Sequence, residues 1–185
     1  MKLDLTGIID DGGYTVLNPG RYDIETKSPW YASESDAGNM VLRIPFVVLS
    51  EGEFKGSANS YFHTIMTDGD AEKVRTNKLF TLRLFATLGV LSEEDRGDGG
   101  ALEIEFEFGN KDEKGNVEVH SVMVNGARRS LGGRYGIAVV VVDANRKDGV
   151  SIKTIDPKGK PVASNPQPQA SPPAQTTQSK ANKLF

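Results

Sequence analysis

Cysteine is absent from all 185 residues, which removes disulfide frameworks, thiolate zinc sites, iron–sulfur clusters and cysteine nucleophiles. Histidine is scarce, with only His63 and His120. The two stand far apart in sequence, so no histidine-rich metal centre is expected and a Ser-His-Asp triad would have to use one of them. Long apolar runs are missing too. The longest, Ile137 to Val142, is six residues, far short of the roughly 20 that span a bilayer. The opening Met1-Lys-Leu-Asp-Leu-Thr6 holds no apolar h-region. No signal peptide is therefore expected, and the chain reads as soluble and cytoplasmic.

Acid is missing from one end. No Asp or Glu follows Asp156, whereas Lys158, Lys160, Lys180 and Lys183 do. The formal charge of −3 is thus a tail of +4 attached to a body of −7. Residues 157–185 also hold six of the nine prolines, padded with Gln, Ser, Thr and Ala. Such a composition cannot bury enough apolar surface to offset its ordering entropy, so a disordered tail is expected there. It ends in the apolar pair Leu184-Phe185, a candidate docking peptide for a partner protein.

Residues 1–156 read as one domain, mostly strands. Tyr22, Ile24 and Thr26 alternate with charged neighbours after the Asn18-Pro19-Gly20 turn. In the run 40–49, Met40, Leu42, Ile44, Phe46 and Val48 share a face, and Pro45 suggests an edge position or a bulge. A third strand is expected at 58–66. Residues 71–88 form the one good helix candidate, free of Gly and Pro and stopped at Gly89, with Val74, Leu82, Phe85 and Leu88 as its buried stripe. A β-hairpin is expected over 102–124, with further strands at 135–143 and 150–155. Arg128, Arg129 and Arg134 fall in the loop before the first of these. A mainly β chain with one mid-chain helix fits an OB-like Greek-key barrel, with the 102–124 hairpin as an extension.

Catalytic signatures are absent. The chain has no G-x-x-x-x-G-K-[ST], G-x-G-x-x-G, G-x-S-x-G or H-E-x-x-H. Asn110–Asn116 puts Lys114 at the fifth position of a calcium-loop pattern and Ser121 where the bidentate glutamate belongs, so it reads as a hairpin turn. Glu103, Glu105 and Glu107 line one strand face, which by default is solvated. No cofactor, no metal and no enzymatic activity are expected.

What remains is an aromatic and basic set. Single-stranded nucleic acid is held by rings stacked on bases and cations near phosphates. Trp30, Tyr31 and Tyr61 are the candidate stacking residues, with Lys27, Arg43, Lys55, His63 and the group Arg128, Arg129 and Arg134 as polar and cationic partners. Arg43 points away from the face of Leu42 and Ile44, and Tyr61 and His63 lie opposite Phe62. Phe46, Phe62, Phe80, Phe85, Phe106 and Phe108 are expected in the core.

The segments Asn18-Pro-Gly-Arg-Tyr22, Glu51-Gly-Glu-Phe-Lys-Gly56, Phe85-Ala-Thr-Leu-Gly89, Leu131-Gly-Gly-Arg134 and Ile155-Asp-Pro157 together resemble a family of bacteriophage single-stranded DNA-binding proteins, once described only as a domain of unknown function. The resemblance covers residues 18–157. It implies an OB-like fold, single-stranded DNA as the ligand, a role in replication and recombination, and no catalytic residues. It also implies replication or recombination proteins as partners of the tail, although tails of this functional class are often acidic and this one is basic. Homo-oligomerisation is compatible with it, and a membrane is not implied. The competing reading is a protein-interaction or virion assembly module that uses the acidic strand face and the Leu184-Phe185 tip.

Overall fold

The computed structural model describes residues 15–96 and 102–158. The expected tail beyond Lys158, with Leu184 and Phe185, lies outside the described residues. The chain order is β1 (Gly20–Thr26), β2 (Trp30–Glu34), β3 (Met40–Val48), β4 (Ala58–Ile65), α1 (Ala71–Thr87), a 3-10 turn (Glu94–Arg96), β5 (Ile104–Lys111), β6 (Val117–Val124), β7 (Ala127–Ser130), β8 (Tyr135–Val142) and β9 (Val150–Asp156). All the strands join one antiparallel sheet in the order β5-β6-β2-β3-β1-β8-β9, with β4 on β3 and β7 on β6.

β3 organises this sheet. Its alternating sequence buries Leu42, Ile44, Phe46 and Val48 on one face and leaves Val41, Arg43, Pro45 and Val47 on the other. Against expectation, Pro45 sits in a central strand. On one side β3 pairs with β4 throughout; on the other it pairs first with β2 and then with β1. The Pro45 carbonyl accepts from Lys27 N at 2.8 Å, in the gap between β2 and β1. Its missing N–H points to the same gap, so no ladder bond is lost.

The helix begins on Asp70, whose side chain accepts from Lys73 N at 3.0 Å, and ends before Gly89 at φ +63°. Its buried residues are Leu84 and Phe85, followed by Leu88 just past its end. Leu82 and Val74, expected in that stripe, are only half-buried. A single core runs from Leu17 to Ile155 and gathers Trp30, Phe46 and Phe85 among its largest members.

Two expectations change here. Arg128 and Arg129 lie on a strand, β7, and not in a loop. Asn125 (φ +46°) and Gly126 (φ +79°) make a two-residue turn that folds β7 back on β6, the hairpin geometry that the pair Asn-Gly favours. Second, the sheet is open. Among the described residues β4 pairs only with β3 and β9 only with β8, so no ladder closes a barrel. Helix α1 packs against both β4 and β9.

Candidate nucleic-acid interface

The outer face of the sheet, opposite the core, carries a row of side chains fixed by strand register. Glu118 on β6 stands across from Tyr31 on β2, Tyr31 across from Arg43 on β3, and Arg43 across from Phe62 on β4. Cross-strand partners point to the same side, so these four side chains are neighbours in one line. The Arg43 guanidinium lies over the Tyr31 ring, 4.4 Å from its centroid. Among the described residues no carboxylate lies within ion-pair distance of Arg43, and its buried Nε has no hydrogen-bond partner. Phe62 is 50% exposed. At the far end Glu118 holds His120 at 3.2 Å. The row therefore runs from an acidic end to a cationic and aromatic one.

Phe62 was expected in the core, and its exposure is the feature missed. Residue parity already set Phe62 opposite Tyr61 and His63; which face turns inward was the open question. The β3 register answers it, since His63 pairs with Leu42 and Tyr61 with Ile44, both buried. Tyr61 and His63 are thus under the helix rather than on the outer face. His63 Nε2 is 2.8 Å from Thr81 Oγ1 on α1. That hydroxyl donates to Asn77 O at 3.0 Å, so it accepts from His63, whose Nε2 carries the proton. Burial lowers the His63 pKa and raises that of Tyr61.

Trp30 was expected to stack on bases and is 0% exposed. It packs edge-on against Phe85, 6.0 Å between centroids, and next to Val119 on β6. No base can reach it. Phe108, expected inside, is 58% exposed and stacks on Phe106, while Phe46 and Phe85 are buried as expected.

Most of the expected cations are already engaged. Lys27 pairs with Glu25 at 3.0 Å, and Lys55 pairs with Glu51. Arg128 Nε binds Glu107 Oε2 at 2.7 Å and Ser121 Oγ at 3.0 Å. The Glu107 pKa is held low by the Ser121 hydroxyl bond and by Arg128, against a smaller opposing effect of burial. Arg129 faces Asp95 at 3.6 Å. Arg134 is a structural clamp: its guanidinium donates to Gly89 O at 2.9 Å and twice to Ser130 O, tying the helix end to the β7–β8 connection. Of the cations expected to meet phosphate, Arg43 is the one left unpaired among the described residues.

No protein family and no characterised protein matches the chain. The row of Tyr31, Arg43 and Phe62 therefore has to be judged on its chemistry alone. It offers a planar cation stacked on one ring and a second ring open to solvent, which suits flat aromatic ligands bearing negative charge. Among the described residues no cluster of three or more His, Asp or Glu could hold a metal ion, and no helix is long and apolar enough to cross a membrane.

Proposed function

We infer that this protein binds single-stranded DNA without catalysis, stacking bases on Phe62 and Tyr31 while Arg43 meets phosphate. The observation that carries the reading is the unpaired Arg43 between these two rings on adjacent strands. An acidic total charge does not oppose it, because binding responds to the local field. Strand order supports an OB-like classification. β3 has β4 on one side and β2 and then β1 on the other, β1 continues to β8, β8 to β9, and the helix follows β4. In that scheme β3 and β4 are the second and third strands, the surface on which such folds take oligonucleotides, and β5, β6 and β7 form the extension.

The phage-type resemblance, with its role in replication or recombination in host cytoplasm, belongs to the same proposal. Several of its short motifs fall on glycines that hold turns, namely Gly52, Gly56, Gly89 and Gly133, all at positive φ.

Anisotropy of labelled oligo-dT at two salt concentrations is the test. Trp30 fluorescence is unsuited, since a fully buried indole reports little of an outer-face ligand. Each stacked base is worth about 1–3 kcal/mol, so Phe62→Ala weakens binding by about fivefold or more. Binding that is absent at low ionic strength, or unchanged in both Phe62→Ala and Arg43→Ala, sinks the proposal. Cleavage of the oligonucleotide with magnesium would instead make the protein a nuclease.

One observation favours the protein-interaction reading. β5 is an edge strand that exposes Phe108 and Glu105, with Glu103 exposed just before it. A protein complex that survives nuclease treatment and is lost in Phe108→Ala would support that reading over the first.

A further inference from the structure

The unpaired edges of β4 and β9 face an open groove of about 1070 Å³ that is roofed on one side by α1. We propose that this groove is a second nucleotide subsite, taking the same strand onward from the Tyr31–Arg43–Phe62 row, with a base against Phe80 and Phe62 and phosphates at Arg83 and Lys153. It rests on the reading of the outer face as a single-stranded DNA platform.

Three independent features converge. The first is continuity. Phe62 ends the outer-face row and also lines the groove, so a strand leaving the row enters the groove without crossing the sheet. The acidic far end of the row, at Glu118, turns a phosphate chain in this direction. The second is the lining. Phe80 is 54% exposed, and the Arg83 guanidinium lies 5.9 Å from its ring centroid. That repeats the ring-plus-guanidinium pairing of Tyr31 and Arg43. The volume lies just above the roughly 300–1,000 Å³ usual for ligand pockets, enough for a nucleotide.

The third feature is charge. The helix span 71–87 holds Lys73, Arg75, Lys78 and Arg83 against a single acid, Glu72, within a body of net −7. Among the described residues none of these four cations is in an ion pair, and neither is Lys153. One groove carboxylate, Asp156, is neutralised by Arg21 at 2.7 Å, which leaves Glu93 as the opposing acid. In the first half of α1, through residue 80, only Val74 and Asn77 are half-buried, Asn77 donating to Thr64 O and accepting from Met66 N at the end of β4, and the rest are exposed. Of these cations Arg83 and Lys153 line the groove beside the exposed Phe80, a set that suits a polyanion with flat bases better than an apolar peptide.

The test compares anisotropy titrations of a labelled oligo-dT of about 16 nucleotides, the upper site size of one such domain. The variants are Phe80→Ala and the pair Arg83→Gln with Lys153→Gln, all at exposed positions, beside Tyr31→Ala with Arg43→Ala in the row. Phe80→Ala is expected to weaken binding about fivefold or more, as for one lost base stack. The charge pair is expected to lower the slope of log affinity against log salt by about 1.4, at about 0.7 per phosphate contact on single strands. If the row variants lose affinity while both groove variants bind as wild type, the groove is no subsite and the platform stands. If wild type binds no oligo-dT at low salt, both readings fall.

Discussion

Arg43 and Arg134 carry the same charge, yet their surroundings give them opposite work. Arg134 directs its guanidinium at the Gly89 and Ser130 carbonyls, and burial followed by the charge of Arg129 lowers its pKa. Arg43 meets only the Tyr31 ring and has no carboxylate beside it among the described residues. Sequence alone marks both as basic; the partners that separate them lie 45 residues away in one case and across a strand in the other. His63 shows the same dependence on context. It is 7% exposed, and that burial favours the neutral ring. Its folded pKa lies below the ordinary 6.5. Between those two values the unfolded chain binds a proton that the folded chain does not. The stability contributed by neutral His63 is therefore complete above pH 6.5 and is lost as the pH falls from there toward the lowered folded value. Urea denaturation at pH 7.5 and 5.5 measures this. The stability difference between the two pH values should shrink in His63→Gln, which keeps a side-chain donor for Thr81. An equal difference in both proteins would remove His63 as the cause.

Elements were legible where period and length agreed. β3 alternates over nine residues and β1 over seven, and both stand where the alternation puts them. α1 ends within a residue of the expected stop, because Gly89 at φ +63° supplies the left-handed position that closes a helix. Shorter elements were not legible. β2 is five residues long, too short for parity to say whether Trp30 or Tyr31 turns inward, and its burial depends on Phe85 and Val119, both distant in sequence. The exposed Phe62, Phe80 and Phe108 were misplaced because a large apolar residue in a strand or helix is usually interior. β7 was missed although its signal was present: Asn125-Gly126 after an apolar strand is a strong hairpin mark. The turn gives a direct test. Gly126 has φ +79° and nothing within 4 Å of where a Cβ would sit, so any cost of Gly126→Ala comes from backbone conformation and not from collision. A non-glycine residue in left-handed geometry costs about 1–2 kcal/mol. The urea midpoint should fall accordingly with an unchanged m-value. A variant as stable as wild type would show that the β6–β7 turn adopts another geometry.

At the scale of the whole molecule, the net charge conceals an uneven distribution of paired and unpaired groups. The acidic residues that give the body its −7 are partly spent: Glu25, Glu51, Glu107, Asp95 and Asp156 each hold a cation. Among the described cations in no ion pair, Arg43 stands on the outer face and Arg83 and Lys153 line the β4–α1–β9 groove, while Lys111, Lys114 and Lys147 lie elsewhere. The chain leaves β9 beside that groove, since Pro157 is one of its lining residues and Lys158 lies 5.5 Å from the Tyr135 ring. Removing residues 159–185 deletes Lys160, Lys180 and Lys183 and no acid, which takes the net charge from −3 to −6. If those lysines contact phosphate, each contributes about 0.7 to the salt slope on single-stranded DNA. Truncation should then weaken oligo-dT binding at low salt and flatten log affinity against log salt by about 2. The same titration on full-length and truncated protein decides between two roles for the tail. A truncated protein that binds more tightly than full length would make the tail a competitor for the DNA path, and its basic charge would then serve a partner other than DNA.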